Sequence, residues 1–177
     1  MKKFAMAAAT AALLLSVSTG ALAATGLGSV TSMSGSAATA DKAGSVTVNT
    51  TMCALELDDE GKIVSVSFDI AQNKIGFDAA GALTTDLAAE HPTKKELKEG
   101  YGMKAASSIG KEWYEQAEAL EAWCVGKTVA EVVGMPTYDK GDGHHTQVPD
   151  DVDLKSGCTI DVGSFLEAIQ AAANNAK

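Results

Sequence analysis

Ser45 to Ile70 reads SVTVNTTMCALEL-DDEG-KIVSVSFDI, and this stretch decides the fold class. In Lys62–Ile70, Val64, Val66, Phe68 and Ile70 recur at every second position and share one face, while Ser65, Ser67 and Asp69 share the other. Period-two alternation of this kind marks a strand with one buried and one wet side. In Ser45–Leu57 the alternation is carried by Val46, Val48, Met52 and Ala54, with Leu57 at the end. Asp58-Asp59-Glu60-Gly61 between them is an acidic turn ending in glycine. The whole is expected to form one long antiparallel hairpin.

Working outward, Gly26–Met33 is a further candidate strand, and the small polar run Ser34–Gly44 is a turn. Lys74–Thr85 reads as a second, shorter hairpin, with Ile75 and Phe77 alternating, a turn at Asp78–Gly81, and Leu83 returning. The middle of the chain changes to helical spacing. Thr93 and Glu96 form a capping box for a short helix ended by Gly100. Lys111–Val125 places Trp113, Ala117, Leu120 and Cys124 on one stripe, with Gly126 as the terminating glycine. Thr128 and Glu131 cap another short helix, stopped by Gly134 and Pro136. Strands first and helices after predict an α+β fold, an antiparallel sheet with helices packed on one face, in a single domain.

The N-terminus has a different character. Lys2-Lys3, the apolar run Ala5–Val17 and the Ala21-Leu22-Ala23 cleavage pattern predict a secretory signal peptide over residues 1–23. The mature chain, 24–177, is then secreted, periplasmic or at the cell surface, and no later apolar run reaches transmembrane length. Losing Lys2 and Lys3 takes the net charge from −9 to −11, and the chain contains no arginine. Such a chain is a poor partner for nucleic acid or anionic membranes. Cys53, Cys124 and Cys158 form no C-x-x-C. Buried thiols and a Cys53–Cys124 disulfide both remain open.

The C-terminal stretch Asp153–Ile169 reads DLKSGCTIDVGSFLEAI. It is expected to form a polar loop to Gly157, a brief strand Cys158–Val162, and a helix from Ser164 capped by a Ser164/Glu167 box. Asp153, Ser156, Gly157 and Thr159 in this order resemble the flavin-attachment motif of the FMN-binding domain family, with Cys158 in the usual alanine place. Asp59, Gly61, Lys62, Ile63 and Val66 also resemble that family's strand-turn-strand. The resemblance implies covalent FMN, joined to Thr159 by a flavin transferase, with Ser156, Gly157 and Asp153 shaping the attachment loop. It further implies an electron carrier, rather than a turnover enzyme, working with a membrane redox partner outside the cytoplasmic membrane. The family's His/Glu-Thr-Pro-Gly segment is missing, and the helical region 93–135 reads as an insertion.

Other chemistry is sparse. No phosphate-binding glycine loop and no nucleophile elbow occurs. Trp113, Tyr114 and Trp123 are candidates to stack on a flavin, or anchors of a helix to the sheet. His91, His144 and His145 are the candidates for a metal, although adjacent histidines lack helical ligand spacing. The alternative function is a flavin-free extracytoplasmic binding or structural module of the same fold.

Overall fold

The computed structural model describes residues 22–177. The expected signal peptide lies almost wholly outside them. Three 15-residue strands, β1 (Leu22–Ser36), β2 (Gly44–Asp58) and β3 (Ile63–Phe77), form an antiparallel meander in the order β1-β2-β3. Four helices follow: α1 (Lys94–Leu97), α2 (Trp113–Cys124), α3 (Val129–Val133) and, after a short ladder, α4 (Gly163–Asn174). The ladder pairs β4 (Thr137–Tyr138) with β5 (Val148–Pro149) inside the polar loop. Helices α2 and α4 cover the inner face of the sheet, as an α+β fold requires.

The long hairpin forms, but its faces differ from the expected ones. On β2 the odd positions Thr51, Cys53 and Leu55 are buried, whereas Val46 and Ala54 are exposed. Both phases of β2 carry apolar residues, so alternation alone cannot choose between them. The helices choose, by covering the face that also carries Val66, Phe68 and Ile70 of β3. Val64 does not join that face. The register shifts between Glu56 and Leu57, which pairs Leu57 with Ile63 and Glu56 with Ser65. This bulge turns Ile63 inward and Val64 outward.

Strand β3 runs on to Phe77 and takes in the first arm of the expected second hairpin. What remains of that hairpin is the Asp78–Gly81 turn and a Phe77–Leu83 bridge. The Thr93/Glu96 and Thr128/Glu131 capping boxes are present. Helix α1 passes into a 3-10 turn, Lys98–Tyr101, and the left-handed stop comes at Gly102 rather than Gly100. Gly126, at φ +80°, follows α2 as expected.

Cys158–Val162 is not a strand. Its backbone groups are claimed locally: Thr159 N–H donates to a side chain of α2 and Val162 N–H to Gln147 O, so no ladder is available to it. The Ser164/Glu167 box does not form either. Helix α4 opens one residue earlier, Asp161 Oδ1 accepts from Gly163 N–H, and Ser164 Oγ accepts from the buried Thr51 hydroxyl.

The core joins Phe68, Phe165 and Trp113, with ring centroids 5.1 and 5.9 Å apart. Against β1, α4 packs backbone on backbone. A Cβ on Gly26 or Gly28 would run into the carbonyl oxygens of Ala172 and Ala168. Gly28→Val therefore overpacks this contact and is expected to destabilise the fold by roughly 1–3 kcal/mol. A denaturant melt should show a lower midpoint at unchanged slope.

All three cysteines are buried as free thiols. Burial, more than Glu121 nearby, pushes Cys53 up to about 12. Burial likewise raises Cys124 to about 12 and Cys158 to about 11. They stay protonated at pH 8. A thiol-disulfide reagent at that pH should find almost no fast-reacting thiol in the native protein, and three after denaturation.

Candidate functional site

The C-terminal corner is built around one buried amide. Gln116, fully buried on α2, accepts at Oε1 from Thr159 N–H (2.8 Å) and from the Thr159 hydroxyl (3.2 Å). Its Nε2 donates to Ser107 Oγ (3.1 Å) and Lys111 O (3.2 Å). Every hydrogen-bonding position of the amide is thus used, as burial demands. Thr159 O accepts from Lys140 Nζ (2.8 Å). Before it, Asp151 Oδ1 organises the turn by accepting from Asp153 N–H, Leu154 N–H and Trp123 Nε1.

The four residues of the attachment motif therefore share a turn but not a cavity. Asp153 and Ser156 are exposed, and Gly157 lies where a Cβ would come within 3.0 Å of Ala119. Thr159 turns its hydroxyl inward to Gln116, and among the described residues no hydrogen bond joins it to Asp153 or Ser156. An ester at that oxygen has no proton to give Gln116, so a flavin phosphate at Thr159 would require this hydrogen bond to break. None of the four lines the cleft next door.

That cleft, of about 530 Å³, opens where α4 begins. Its sheet wall continues the inner face past the end of the helix, through the register-matched row Ser32, Asn49 and Gln72. Gln72 Nε2 donates to Asn49 Oδ1 (2.9 Å). At its back are Ile160, Asp161, Gly163 and Ser164, the residues immediately after the motif. Asp161 is spent on structure: Oδ2 accepts from Thr146 and Gln147 N–H (2.8 and 2.9 Å) and Oδ1 from Gly163 N–H.

On the side wall, Lys94 Nζ lies 4.8 Å from the Tyr101 ring centroid and 5.5 Å from that of Trp113. Among the described residues no carboxylate lies within ion-pair distance of Lys94. A cation held on aromatic faces keeps its N–H donors available to an incoming group.

His144 and His145 also line the cleft. Asp142 accepts from both their backbone N–H groups and from His145 Nδ1 (2.7 Å), and these bonds hold its carboxyl well below the usual range. No group of His, Cys, Asp or Glu among the described residues is arranged to hold a metal ion, and His91 does not line the cleft. Of the three aromatics proposed to stack, Trp113 is a core anchor. Trp123 lies under Lys127 (4.2 Å), and Tyr114 bonds Glu99 (3.0 Å).

Gln116, Lys94 and Thr51 were not singled out as site residues from sequence, and Ser164 was read only as a helix cap. A signal for Gln116 was present, since it falls inside the Trp113–Ala117–Leu120 stripe, where a polar residue at an apolar position calls for partners.

No family model matches the chain, and no solved structure does. The chain is similar to a chlorophenol reductase of Desulfitobacterium hafniense, 40% identical over 96 residues, covering 48% of this chain and 29% of that protein. It thus spans less than a third of the relative's length.

Removing the Gln116 amide leaves the Thr159 N–H and the Lys111 carbonyl short of a partner. Gln116→Ala is expected to cost about 3 kcal/mol or more, while Thr159→Val, which loses one hydrogen bond, costs about 1 kcal/mol. Paired chemical melts measure the difference.

Proposed function

We propose that the protein is an exported small-molecule-binding module whose ligand occupies the cleft between β1–β3 and the start of α4, without flavin on Thr159. The cleft supports this directly. It gathers a cation with no ion-pair partner among the described residues, hydroxyls on Ser32 and Ser164, and amides on Asn49 and Gln72. Convergent polar groups on an apolar frame are how small-ligand sites are built. The ligand class this suits is a small organic molecule with an anionic or acceptor group for Lys94 and hydroxyls or amides for the sheet row. The likeness to a protein named chlorophenol reductase supports placing the module beside redox machinery. The covered fraction is too small to carry that activity over.

A second reading keeps the flavin. Asp153-x-x-Ser156-Gly157-x-Thr159 on an exposed turn favours a flavin transferase adding FMN there, the domain then relaying electrons to a membrane redox partner. It requires Thr159 to swing away from Gln116.

One preparation separates the two. Protein purified from its native host is sprayed under native and denaturing conditions. A small molecule that leaves on denaturation, whose binding weakens roughly tenfold or more in Lys94→Ala, is expected; one charge-assisted hydrogen bond carries about that much. FMN that stays on the Thr159 peptide after denaturation overturns the first reading in favour of the second. A bare mass in both conditions removes the binding role.

A further inference from the structure

The two edges of the sheet are finished differently. Along the outer edge of β3, Ile63 N–H donates to Lys127 O (2.8 Å), Phe68 N–H to Glu121 Oε1 (2.6 Å) and Gly76 N–H to Thr85 Oγ1 (2.8 Å). Lys95 pairs with Glu121 at the same place. That edge is capped at these points by side chains and loops.

The outer edge of β1 is closed only at its start. Thr25 exchanges both backbone hydrogen bonds with Lys177 (3.0 and 3.1 Å), and Asn175 Nδ2 donates to Leu27 O (3.1 Å). Alternate residues of an antiparallel strand turn their backbone groups to the same side. The pairing with β2 is unbroken from Ala24 to Ser36, so the next groups on this edge belong to Ser29, Thr31, Met33 and Gly35. All four residues are exposed, and among the described residues nothing outside β2 bonds their backbone. Edges are normally protected by charged side chains, proline or a bulge. The stretch Gly28–Ser36 has none of these.

We propose that this open edge docks a second copy of the chain, by antiparallel pairing of β1 with β1 about a two-fold axis at Ser32. The backbone is self-complementary in that register. Ser29 meets the partner's Gly35 and Thr31 meets the partner's Met33, so all the open N–H and C=O groups find partners. Pairing stops at Ser29 because Asn175 and Lys177 already occupy Leu27 and Thr25. Electrostatics selects the same place. The chain carries a net charge of −9, so copies repel, but no charged residue occurs from Ala24 to Ala40. The pairing also covers Met33, which is 75% exposed on the outer face. On the inner face Ser32 borders the cleft, so the partner's Ser32 comes to border it too.

The test uses the protein purified from its native host, sedimented over a range of concentrations. A concentration-dependent dimer is expected. Thr31→Pro removes an outward N–H without touching the β1–β2 ladder, and Met33→Lys places charges at the joint. Each should raise the dissociation constant at least tenfold with an unchanged circular dichroism spectrum. Ser32→Cys supplies a readout independent of stability. Residues facing each other at a non-hydrogen-bonded position lie about 4.5 Å apart, within disulfide reach. Mild oxidation should give covalent dimers of Ser32→Cys and none of Ala80→Cys, on an exposed turn, because the native cysteines are buried. A monomer at every concentration with no Ser32→Cys dimer overturns the proposal. So does a dimer indifferent to both edge variants, or cross-linking of Ser32→Cys to a different protein in place of itself.

Discussion

The close approach of α4 to β1 sets the geometry of the molecule. Gly26 and Gly28 present bare backbone, and the fully buried Ala168 and Ala172 of α4 settle onto it. With side chains absent from one partner and minimal on the other, the helix sits low over the sheet. Phe165 then reaches Phe68 and Trp113, and the core closes without long side chains bridging a gap. The same placement fixes where the helix begins. Its first turn lies over Thr51, whose buried hydroxyl bonds Ser164, and the next row of the sheet is left uncovered. The cleft is the part of the inner face that α4 is too short to cover.

A few polar side chains hold the rest in register. Gln116 fastens the C-terminal corner to α2, Asp161 ties the polar loop to the start of α4, and Glu121 closes the edge of β3. No buried side-chain polar atom among the described residues lacks a partner. In a small core, one unpaired buried amide costs a noticeable share of a stability of about 5–15 kcal/mol. This economy explains the corner. Thr159 is well placed to satisfy Gln116, and that role takes up the hydroxyl that an attachment motif would need free. Residues one to five positions later, not the motif itself, reach the open space.

The sheet's two edges obey the same rule of satisfaction in different ways. Elements that come after β3 in the chain fold back along its edge and supply acceptors. Along the outer edge of β1, Asn175 and Lys177 supply partners as far as Leu27. The remaining backbone groups of β1 face outward in an uncharged stretch, a property of chain order rather than of any one residue.

Local pattern alone determined a good deal here. Alternation in Lys62–Ile70, the Asp58–Gly61 turn, the two Thr-x-x-Glu boxes and the Trp113–Cys124 stripe each encode their element within a few residues, because turns, caps and periodicity are short-range. Three things required the assembled chain. The buried phase of β2 depended on which face the helices cover, since both phases are apolar. The bulge that expels Val64 depended on cross-strand register at Glu56 and Leu57. The fate of Thr159 depended on Gln116, which is 43 residues distant in sequence and bonded to it only after α2 docks. Sequence therefore settled the long hairpin, the two capped short helices and α2. Tertiary structure alone decided which atoms face outward, because burial and hydrogen-bond partnership are shared among segments that meet only in the folded state.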